Sequence, residues 1–328
     1  MIDWTHHYAT INGIQTHYVE QGEGLPVVLC HGFPHLWFSW HRQIPLLAEA
    51  GCRVLAPDMR GMGQTEAPAE VAAYDIDHIT GDLIGLLDHA GIERAVFVGL
   101  DFGAFAIYDL ALRHPERVIA VIGLENPAAP HNPDEPPLTE YRRMGQQHFL
   151  HIEYFREPPR ADRELAAQPR RFLHKVFHTL SGACNYFDMF RHPPGTSYID
   201  AMEEPPPLPW PWLSELELEF FVSEYSRSGF TGGLNWYRAF DLKWEQRRPY
   251  EGVQSAVPAY FLGSEHDVDL EGFHGEDPIG QMRAIFPDLR QVRMIPGAGH
   301  MVQLEASEAV NAILLDFIGD IRATAASA

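Results

Sequence analysis

In the first 125 residues, short apolar runs alternate with segments whose apolar residues recur at helical spacing. The apolar runs 26–30, 53–57, 96–98 and 118–122 each predict a strand buried on both faces. Between them, segment 75–89 carries apolar residues at helical spacing and predicts an amphipathic helix. Such alternation is typical of α/β proteins with a parallel sheet, whose binding sites lie beyond the carboxyl ends of the strands.

The pattern changes twice along the chain. Near the start, alternating residues flank Asn12-Gly13, which predicts an antiparallel hairpin. From 129 to 251 the strand-and-helix alternation is lost, and it resumes with apolar runs at 257–263 and 291–295 and a final helix over 303–321. We therefore predict an α/β fold with a mostly parallel sheet flanked by helices. Its core is formed by residues 1–128 and 252–328, with a mostly helical insertion over 129–251.

The sequence Gly99-Leu100-Asp101-Phe102-Gly103 stands where the strand after residue 96 turns into a helix. Glycines on both sides let the chain reverse sharply and the helix approach the strand, so the central side chain is exposed above the sheet. A carboxylate nucleophile at this position attacks carbon and forms an alkyl ester. The alternative is an aspartate that caps the following helix.

Composition limits the function classes. The chain has 328 residues and a formal net charge of −21, so nucleic acid and anionic membrane surfaces are repelled. The N-terminal residues 1–7 lack the basic and then apolar pattern of a signal peptide, and no run is apolar enough to span a bilayer, which predicts a cytoplasmic protein. Cys30, Cys52 and Cys184 are too widely spaced to indicate a zinc site or a disulfide framework.

Other strand ends offer the groups that a nucleophilic Asp101 needs. His300 follows the last strand in Gly297-Ala298-Gly299-His300, and Asp267 follows the preceding strand, which gives the order nucleophile, acid, histidine expected for this architecture. His300 is the candidate base that activates water, and Asp267 the residue that orients it. The backbone amides of Phe33 and Phe102 are the candidate oxyanion hole.

With these motifs, the chain resembles the soluble, capped epoxide hydrolases of the α/β-hydrolase fold over nearly its whole length. The matching motifs are His31-Gly32-Phe33-Pro34, Gly99-Leu100-Asp101-Phe102-Gly103, Gly299-His300, Tyr154-Phe155-Arg156-Glu157-Pro158 and 229–238 (GFTGGLNWYR). The resemblance implies that two tyrosines of the cap hydrogen-bond to the epoxide oxygen, and the matching positions are Tyr154 and Tyr237. A phenol suits this role, since its pKa of about 10 keeps it protonated at neutral pH while it supports a departing alkoxide.

The resemblance implies a two-step reaction that yields a vicinal diol. Asp101 opens the epoxide and forms a hydroxyalkyl ester, and water deprotonated by His300 then hydrolyses the ester. This chemistry needs no metal or organic cofactor. His31 and His35 are four residues apart, but Gly32 and Pro34 between them prevent a regular ligand-presenting helix. The expected partner is therefore a small apolar epoxide, without nucleic acid or membrane, and the chain acts alone or as a homodimer.

Two alternatives stay open. In the epoxide hydrolases the nucleophile motif usually reads Gly-His-Asp-Trp-Gly, whereas Leu100 and Phe102 flank the aspartate here. The loss of the indole N–H also argues against a haloalkane dehalogenase, which uses such donors to hold the leaving halide, although Glu125 resembles the triad acid of some dehalogenases. The other alternative is a non-catalytic homologue that uses the same pocket to bind a ligand.

Four apolar residues are candidates for the wall of the substrate pocket because they lie near the predicted site motifs. They are Trp37, Phe105, Trp236 and Met301. The identity of the epoxide and the stereochemistry of its opening depend on how the cap packs.

Overall fold

The computed structural model describes residues 4–325, which form one sheet of eight strands. Residues 1–3, on which part of the signal-peptide argument depends, lie outside the described residues. The strands are β1 (Thr5–Ile11), β2 (Ile14–Gln21), β3 (Leu25–Cys30), β4 (Cys52–Pro57), β5 (Ala95–Leu100), β6 (Val118–Leu124), β7 (Ala259–His266) and β8 (Leu289–Gly299). Their order across the sheet is β1-β2-β4-β3-β5-β6-β7-β8.

The predicted parallel sheet and its antiparallel hairpin are both confirmed. Strands β4, β3, β5, β6, β7 and β8 pair in parallel, while β1 and β2 pair antiparallel to each other and β2 pairs antiparallel to β4. Asn12 and Gly13 turn the hairpin with φ angles of 47° and 83°, the left-handed pair that a two-residue loop of this kind requires. The central strand β5 is buried along its whole length, in keeping with its continuous apolar sequence.

In the described chain, six α-helices belong to the two core segments. They are α1 (Ile44–Glu49), α2 (Ile76–His89), α3 (Phe102–Arg113) and, after the insertion, α12 (Pro278–Ile285), α13 (Val302–Glu305) and α14 (Ser307–Ala325). Helix α2 matches the predicted segment, and the Asp75 side chain caps its start by accepting from the His78 amide. The predicted final helix is divided in two, because the chain leaves the helical conformation at Ala306.

Between β6 and β7 the described chain contributes no strand to the sheet. This segment contains α4 (Pro137–Gly145), α5 (His151–Arg156), α6 (Arg160–Ala167), α7 (Pro169–Thr179), α8 (Tyr198–Ala201), α9 (Glu215–Ser228), α10 (Thr231–Arg238) and α11 (Phe240–Arg247). The predicted boundaries at 128/129 and 251/252 fall in irregular segments on either side of these helices, and the division into domains stays a prediction.

The core extends on both sides of the sheet. One cluster of buried apolar residues includes β-strand side chains, α2 and α3, and continues into the helices of the insertion, while the other joins the opposite side of the sheet to α1 and α14. The insertion is therefore packed on the core without a break in the apolar contact. In the described part of the chain, no helix has both the length and the apolar character needed to cross a membrane.

Candidate active site

Asp101 occupies the sharp turn between β5 and α3. Its φ of 55° is rare for a residue other than glycine and marks local strain. The two neighbouring glycines are sterically required. A Cβ on Gly99 would lie 2.4 Å from the carbonyl oxygen of Gly103, and a Cβ on Gly103 would lie 2.1 Å from that of Cys30. The strand and helix thus approach as closely as the sequence predicted, and the Asp101 side chain does not cap α3 through the usual hydrogen bond to the second or third helical amide.

The two carboxylate oxygens of Asp101 have different surroundings. The Phe33 amide donates to Oδ1 over 2.8 Å, and the amide of Phe102 also hydrogen-bonds to the carboxylate. Oδ2 lies 3.6 Å from Nε2 of His300. Burial raises the pKa of Asp101, but the hydrogen bond and charge of His300 and the two amides lower it further, so the net shift is downward. Asp101 is therefore ionised, with Oδ1 held and Oδ2 facing the histidine.

His300 is anchored on its other side by Asp267. Its Nδ1 lies 2.6 Å from Oδ2 of Asp267, and the buried Asp267 accepts the amides of Asp269 and Leu270 through Oδ1, each over 2.9 Å. Burial lowers the pKa of His300, but the carboxylates of Asp267 and Asp101 raise it well above its usual value. The free protein therefore holds an imidazolium between two carboxylates.

Two further carboxyl groups lie near this pair. Asp269 Oδ2 is 3.8 Å from Nδ1 of His300. Burial and the charge of Asp267 raise the pKa of Asp269 to about 7. Glu125, the alternative acid, accepts instead from the amide and hydroxyl of Ser264, over 3.0 and 2.9 Å. Burial, followed by the charge of Asp267, raises the pKa of Glu125 well above its usual value, so it is a neutral acid.

Within residues 4–325, one group of three side chains has the spacing of a metal site. Asp101, Asp269 and His300 each offer one ligand atom, and these atoms lie within 4.8 Å of one another. A protonated imidazole has no lone pair for a metal, and His300 is protonated between its carboxylates. The arrangement therefore suits proton transfer better than metal binding.

A cavity of about 340 Å³ opens above Asp101 and His300. Its wall is mainly apolar, with many aromatic side chains, and is formed by α3, by several helices of the insertion and by the loop after β7. The wall also carries polar side chains, among them Asp269, His151, Tyr186, Tyr198 and Tyr237. A cavity of this size fits a small ligand and surrounds it with apolar surface.

Of the two predicted cap tyrosines, the structure brings one to Asp101. Tyr237 lies in α10, lines the cavity, and has no hydrogen-bond partner for its hydroxyl among residues 4–325. Tyr154 does not line the cavity. Its hydroxyl donates over 2.6 Å to Glu164 in α6, and the guanidinium of Arg160 lies over its ring.

Tyr154 does not reach the cavity because of the rotation of helix α5 about its own axis. Residues four apart share a helix face, and here His151 and Phe155 form the face that lines the cavity. Tyr154 projects from the adjacent face, toward α6. The prediction that Tyr154 contacts the epoxide is therefore wrong in this geometry.

Comparison with known proteins agrees with this architecture. Residues 26–173 match the family model described as alpha/beta hydrolase fold. Epoxide hydrolase A of Mycobacterium tuberculosis is 42% identical, over 94% of this chain and 95% of its own. Epoxide hydrolase 1 of Siraitia grosvenorii is 34% identical, over 95% of this chain and 97% of its own. The crystal structure of epoxide hydrolase A from Mycobacterium thermoresistibile is 40% identical and superposes with a TM-score of 0.88 over 96% of this chain and 98% of that one.

The chain belongs to the epoxide hydrolase family. An epoxide hydrolase from an endophytic Streptomyces shares the fold with a TM-score of 0.92 at 33% identity, over 97% of this chain and 96% of that one. The predicted α/β-hydrolase fold and the predicted family are thereby confirmed, whereas the roles of individual residues stay predictions.

Two of the four predicted wall residues of this epoxide hydrolase line the cavity. Phe105 and Trp236 are in its wall, and the Trp236 ring stacks on Phe102 with centroids 5.3 Å apart. Trp37 and Met301 are fully buried elsewhere, so those two predictions are wrong. Trp37 lies in the cluster on the opposite side of the sheet, and Met301 packs in the core beneath the site.

Three polar residues of the cavity wall, His151, Tyr186 and Lys243, were not predicted from the sequence. His151 and Tyr186 hydrogen-bond to each other there, and Lys243 lies over the rings of Phe102 and Trp236, 5.2 and 4.7 Å from their centroids. One sequence feature could have indicated His151: it stands four residues before Phe155, so the two share a helix face. The structure shows that this face lines the cavity. Tyr186 had none, since the segment around it has no periodic pattern.

Proposed function

We propose that the protein hydrolyses an apolar epoxide to a vicinal diol through a covalent ester on Asp101. The observation that carries the proposal is the asymmetric environment of the carboxylate. Oδ1 is held by the Phe33 amide at 2.8 Å, Oδ2 lies 3.6 Å from Nε2 of His300, and the residue lines the cavity. An oxygen held by amides is poised to take up negative charge, and an oxygen without such donors is the better nucleophile.

In the first step, Oδ2 of Asp101 attacks the less hindered ring carbon. The C–O bond of the ring breaks, its electron pair stays on the oxygen, and the hydroxyl of Tyr237 gives that oxygen a proton. Burial, followed by the charge of Asp101, raises the pKa of Tyr237 well above its usual value, so a phenolate is disfavoured there. The phenolate therefore recovers a proton, and His300 is the group that releases one.

The second step follows from the change in charge. Formation of the ester removes the negative charge of Asp101, one of the two carboxylates that hold the pKa of His300 high. The imidazole becomes neutral and, oriented by Asp267, deprotonates a water that attacks Cγ of Asp101. The oxyanion forms on Oδ1, which already accepts the Phe33 amide. Collapse of this intermediate breaks the bond between Cγ and the substrate oxygen, and the departing alkoxide takes the proton of the carboxylic acid formed on Asp101. The diol is then released and Asp101 is again a carboxylate.

We also propose that the protein acts in the cytoplasm. The three cysteines are free thiols, as expected in a reducing compartment, and the acidic surface charge suits a protein that binds neither nucleic acid nor anionic membrane. Fractionation of cells that express the chain, followed by immunodetection, tests the location, and recovery in an extracellular or membrane fraction would contradict it.

The decisive experiment traps the ester. In a His300→Gln variant mixed with styrene oxide, the adduct should accumulate on Asp101 and appear by intact and peptide mass spectrometry, while Asp101→Asn is the control that forms none. An adduct with a haloalkane but with no epoxide would identify a dehalogenase. No adduct with either reagent would favour a non-catalytic binding protein.

A further inference from the structure

The cavity wall above Asp101 holds one of the two phenols expected there, because the Tyr154 hydroxyl faces Glu164. An opening epoxide places negative charge on one oxygen, and a second donor would stabilise that charge. We propose that His151, positioned by Tyr186, donates the second hydrogen bond to the epoxide oxygen opposite Tyr237. This inference rests on the proposed epoxide hydrolysis and assigns a further residue to it.

The position of His151 fits the role. It is the first residue of α5, its half-buried ring lines the cavity, and the ring packs edge-on against Tyr237 with centroids 5.7 Å apart and an interplanar angle of 87°. The charges of Asp101 and His300 both act on the ring. His151 therefore lies beside the phenol of Tyr237 and within electrostatic range of Asp101, the group that attacks the epoxide.

Tyr186 fixes which nitrogen of His151 carries the hydrogen. The Tyr186 hydroxyl hydrogen-bonds to Nδ1. Burial raises the pKa of Tyr186 well above its usual value, so the phenol stays protonated. Among the described residues its hydroxyl has no other acceptor, so it donates a hydrogen bond to Nδ1. Burial also lowers the pKa of His151 to about 3, so the ring is neutral and its hydrogen is on Nε2. Among residues 4–325 no protein group is hydrogen-bonded to Nε2, which leaves this N–H for a ligand.

The proton balance separates the roles of His151 and Tyr237. The epoxide oxygen gains one proton, from Tyr237, as the bond from Asp101 Oδ2 to carbon forms. His151 keeps its own proton and supplies only a hydrogen bond, because a neutral imidazole is a far weaker acid than a phenol. The Tyr186 hydroxyl likewise stays intact and holds the ring in place, so Tyr186 is a positioning residue.

Tyr198 is the competing donor in the same wall. Its hydroxyl also has no hydrogen-bond partner among the described residues, and the charge of Asp101 acts on it. However, only 3% of its surface is exposed, and its ring is packed against Phe155 and Phe172, with centroids 5.5 and 5.8 Å away. His151 presents more of its surface to the cavity, which favours it over Tyr198.

The test measures ester formation on Asp101 in the His300→Gln background with styrene oxide, by rapid quenching and mass spectrometry. Accumulation in the background itself establishes that the proposed function holds, so a failure of that function is seen before His151 is tested. Adding His151→Phe should slow ester formation about 100-fold, the usual effect of removing one such donor. Adding His151→Tyr should restore the rate to within tenfold of the background, since it supplies a phenol from the same position.

Three further variants, Tyr154→Phe, Tyr186→Phe and Tyr198→Phe, distinguish a hydrogen bond from His151 from a structural effect and from donation by Tyr198. Tyr154→Phe is the matched control and should leave the rate unchanged. Tyr186→Phe should slow ester formation about tenfold, because either nitrogen of the freed ring can then carry the hydrogen. This variant also serves as the test if His151→Phe fails to fold by circular dichroism. With His300 intact, hydrolysis of the ester should be unaffected by the change at His151, a separation of steps that a purely structural role would not give. The proposal would be overturned by an unchanged rate of ester formation in His151→Phe, or in Tyr186→Phe where that variant replaces it. It would also be overturned if Tyr198→Phe, instead of His151→Phe, caused the large loss.

Discussion

The substitution Gly32→Ala tests whether the position of the Asp101 carboxylate controls the chemistry. A Cβ at residue 32 would lie 1.9 Å from Oδ1 of Asp101 and 2.5 Å from its Cγ. Ordinary contacts begin near 3.4 Å, so the carboxylate must move by about 1.5 Å. The φ angle of Gly32 is not in the left-handed region, so alanine adds a steric clash without backbone strain.

The displacement has a calculable consequence. The Phe33 amide now donates to Oδ1 over 2.8 Å, and a shift of about 1.5 Å exceeds hydrogen-bond range. Loss of one oxyanion donor costs about 10²–10³ in kcat, and misplacement of a nucleophile by about 1 Å costs a similar factor. Because the same displacement produces both effects, we expect kcat to fall about 10³-fold.

The assay follows diol release and, after rapid quenching, the ester on Asp101. Gly319→Ala in α14 is the matched control, since a Cβ there meets nothing within 4 Å, and it should leave activity unchanged while slightly stabilising the helix. Thermal unfolding of Gly32→Ala establishes that the fold is intact. If the ester on Asp101 of the folded Gly32→Ala variant forms at a rate within fivefold of the parent rate, Gly32 does not control the position of Oδ1 at the Phe33 amide.

Three other predictions concern the triad, a buried amine and the residue after the nucleophile. Asp267→Asn should slow ester hydrolysis about 10⁴-fold. In Glu125→Gln the rate of ester hydrolysis should stay within about twofold of the parent rate, since Glu125 is already neutral. Single-turnover kinetics measure this rate in both variants, and a larger loss in Glu125→Gln than in Asp267→Asn would make Glu125 the triad acid. Burial, with repulsion from Arg247, lowers the pKa of Lys243 to about 7, so above pH 7 the unfolded chain binds a proton that the folded chain lacks, and stability rises with pH. The free energy of unfolding of Lys243→Met, measured in urea relative to that of the parent, should therefore fall by about 2 kcal/mol between pH 7 and pH 9. A difference between the two proteins that does not change with pH would mean that the amine titrates normally. Phe102→Trp should cost about 1–3 kcal/mol in the same measurement, because Phe102 is 3% exposed and its ring centroid lies 4.6 Å from that of Tyr237; no loss of stability would show that the pocket has room for an indole.

The sequence by itself determined the sheet and the place of Asp101 at the sharp turn, because both depend largely on neighbouring residues. The apolar runs of the central strands can be satisfied only by burial on both faces. Gly99 is required by a contact within the same turn, with the carbonyl of Gly103, whereas Gly103 is required by the close approach of Cys30 in β3. His300 and Asp267 could be anticipated in the same way, since the ends of parallel strands meet at one edge of the sheet.

Only the tertiary structure decided which side chains of the insertion reach Asp101. A short motif identifies helix α5 but not its rotation about its own axis, which is set by packing against α6 and the core. That rotation turns Tyr154 toward Glu164 and His151 toward the cavity. Trp37 and Met301 show the same limit. Their apolar character predicts burial, but burial against the core and burial against a ligand remove the same surface from water, so composition cannot distinguish the two.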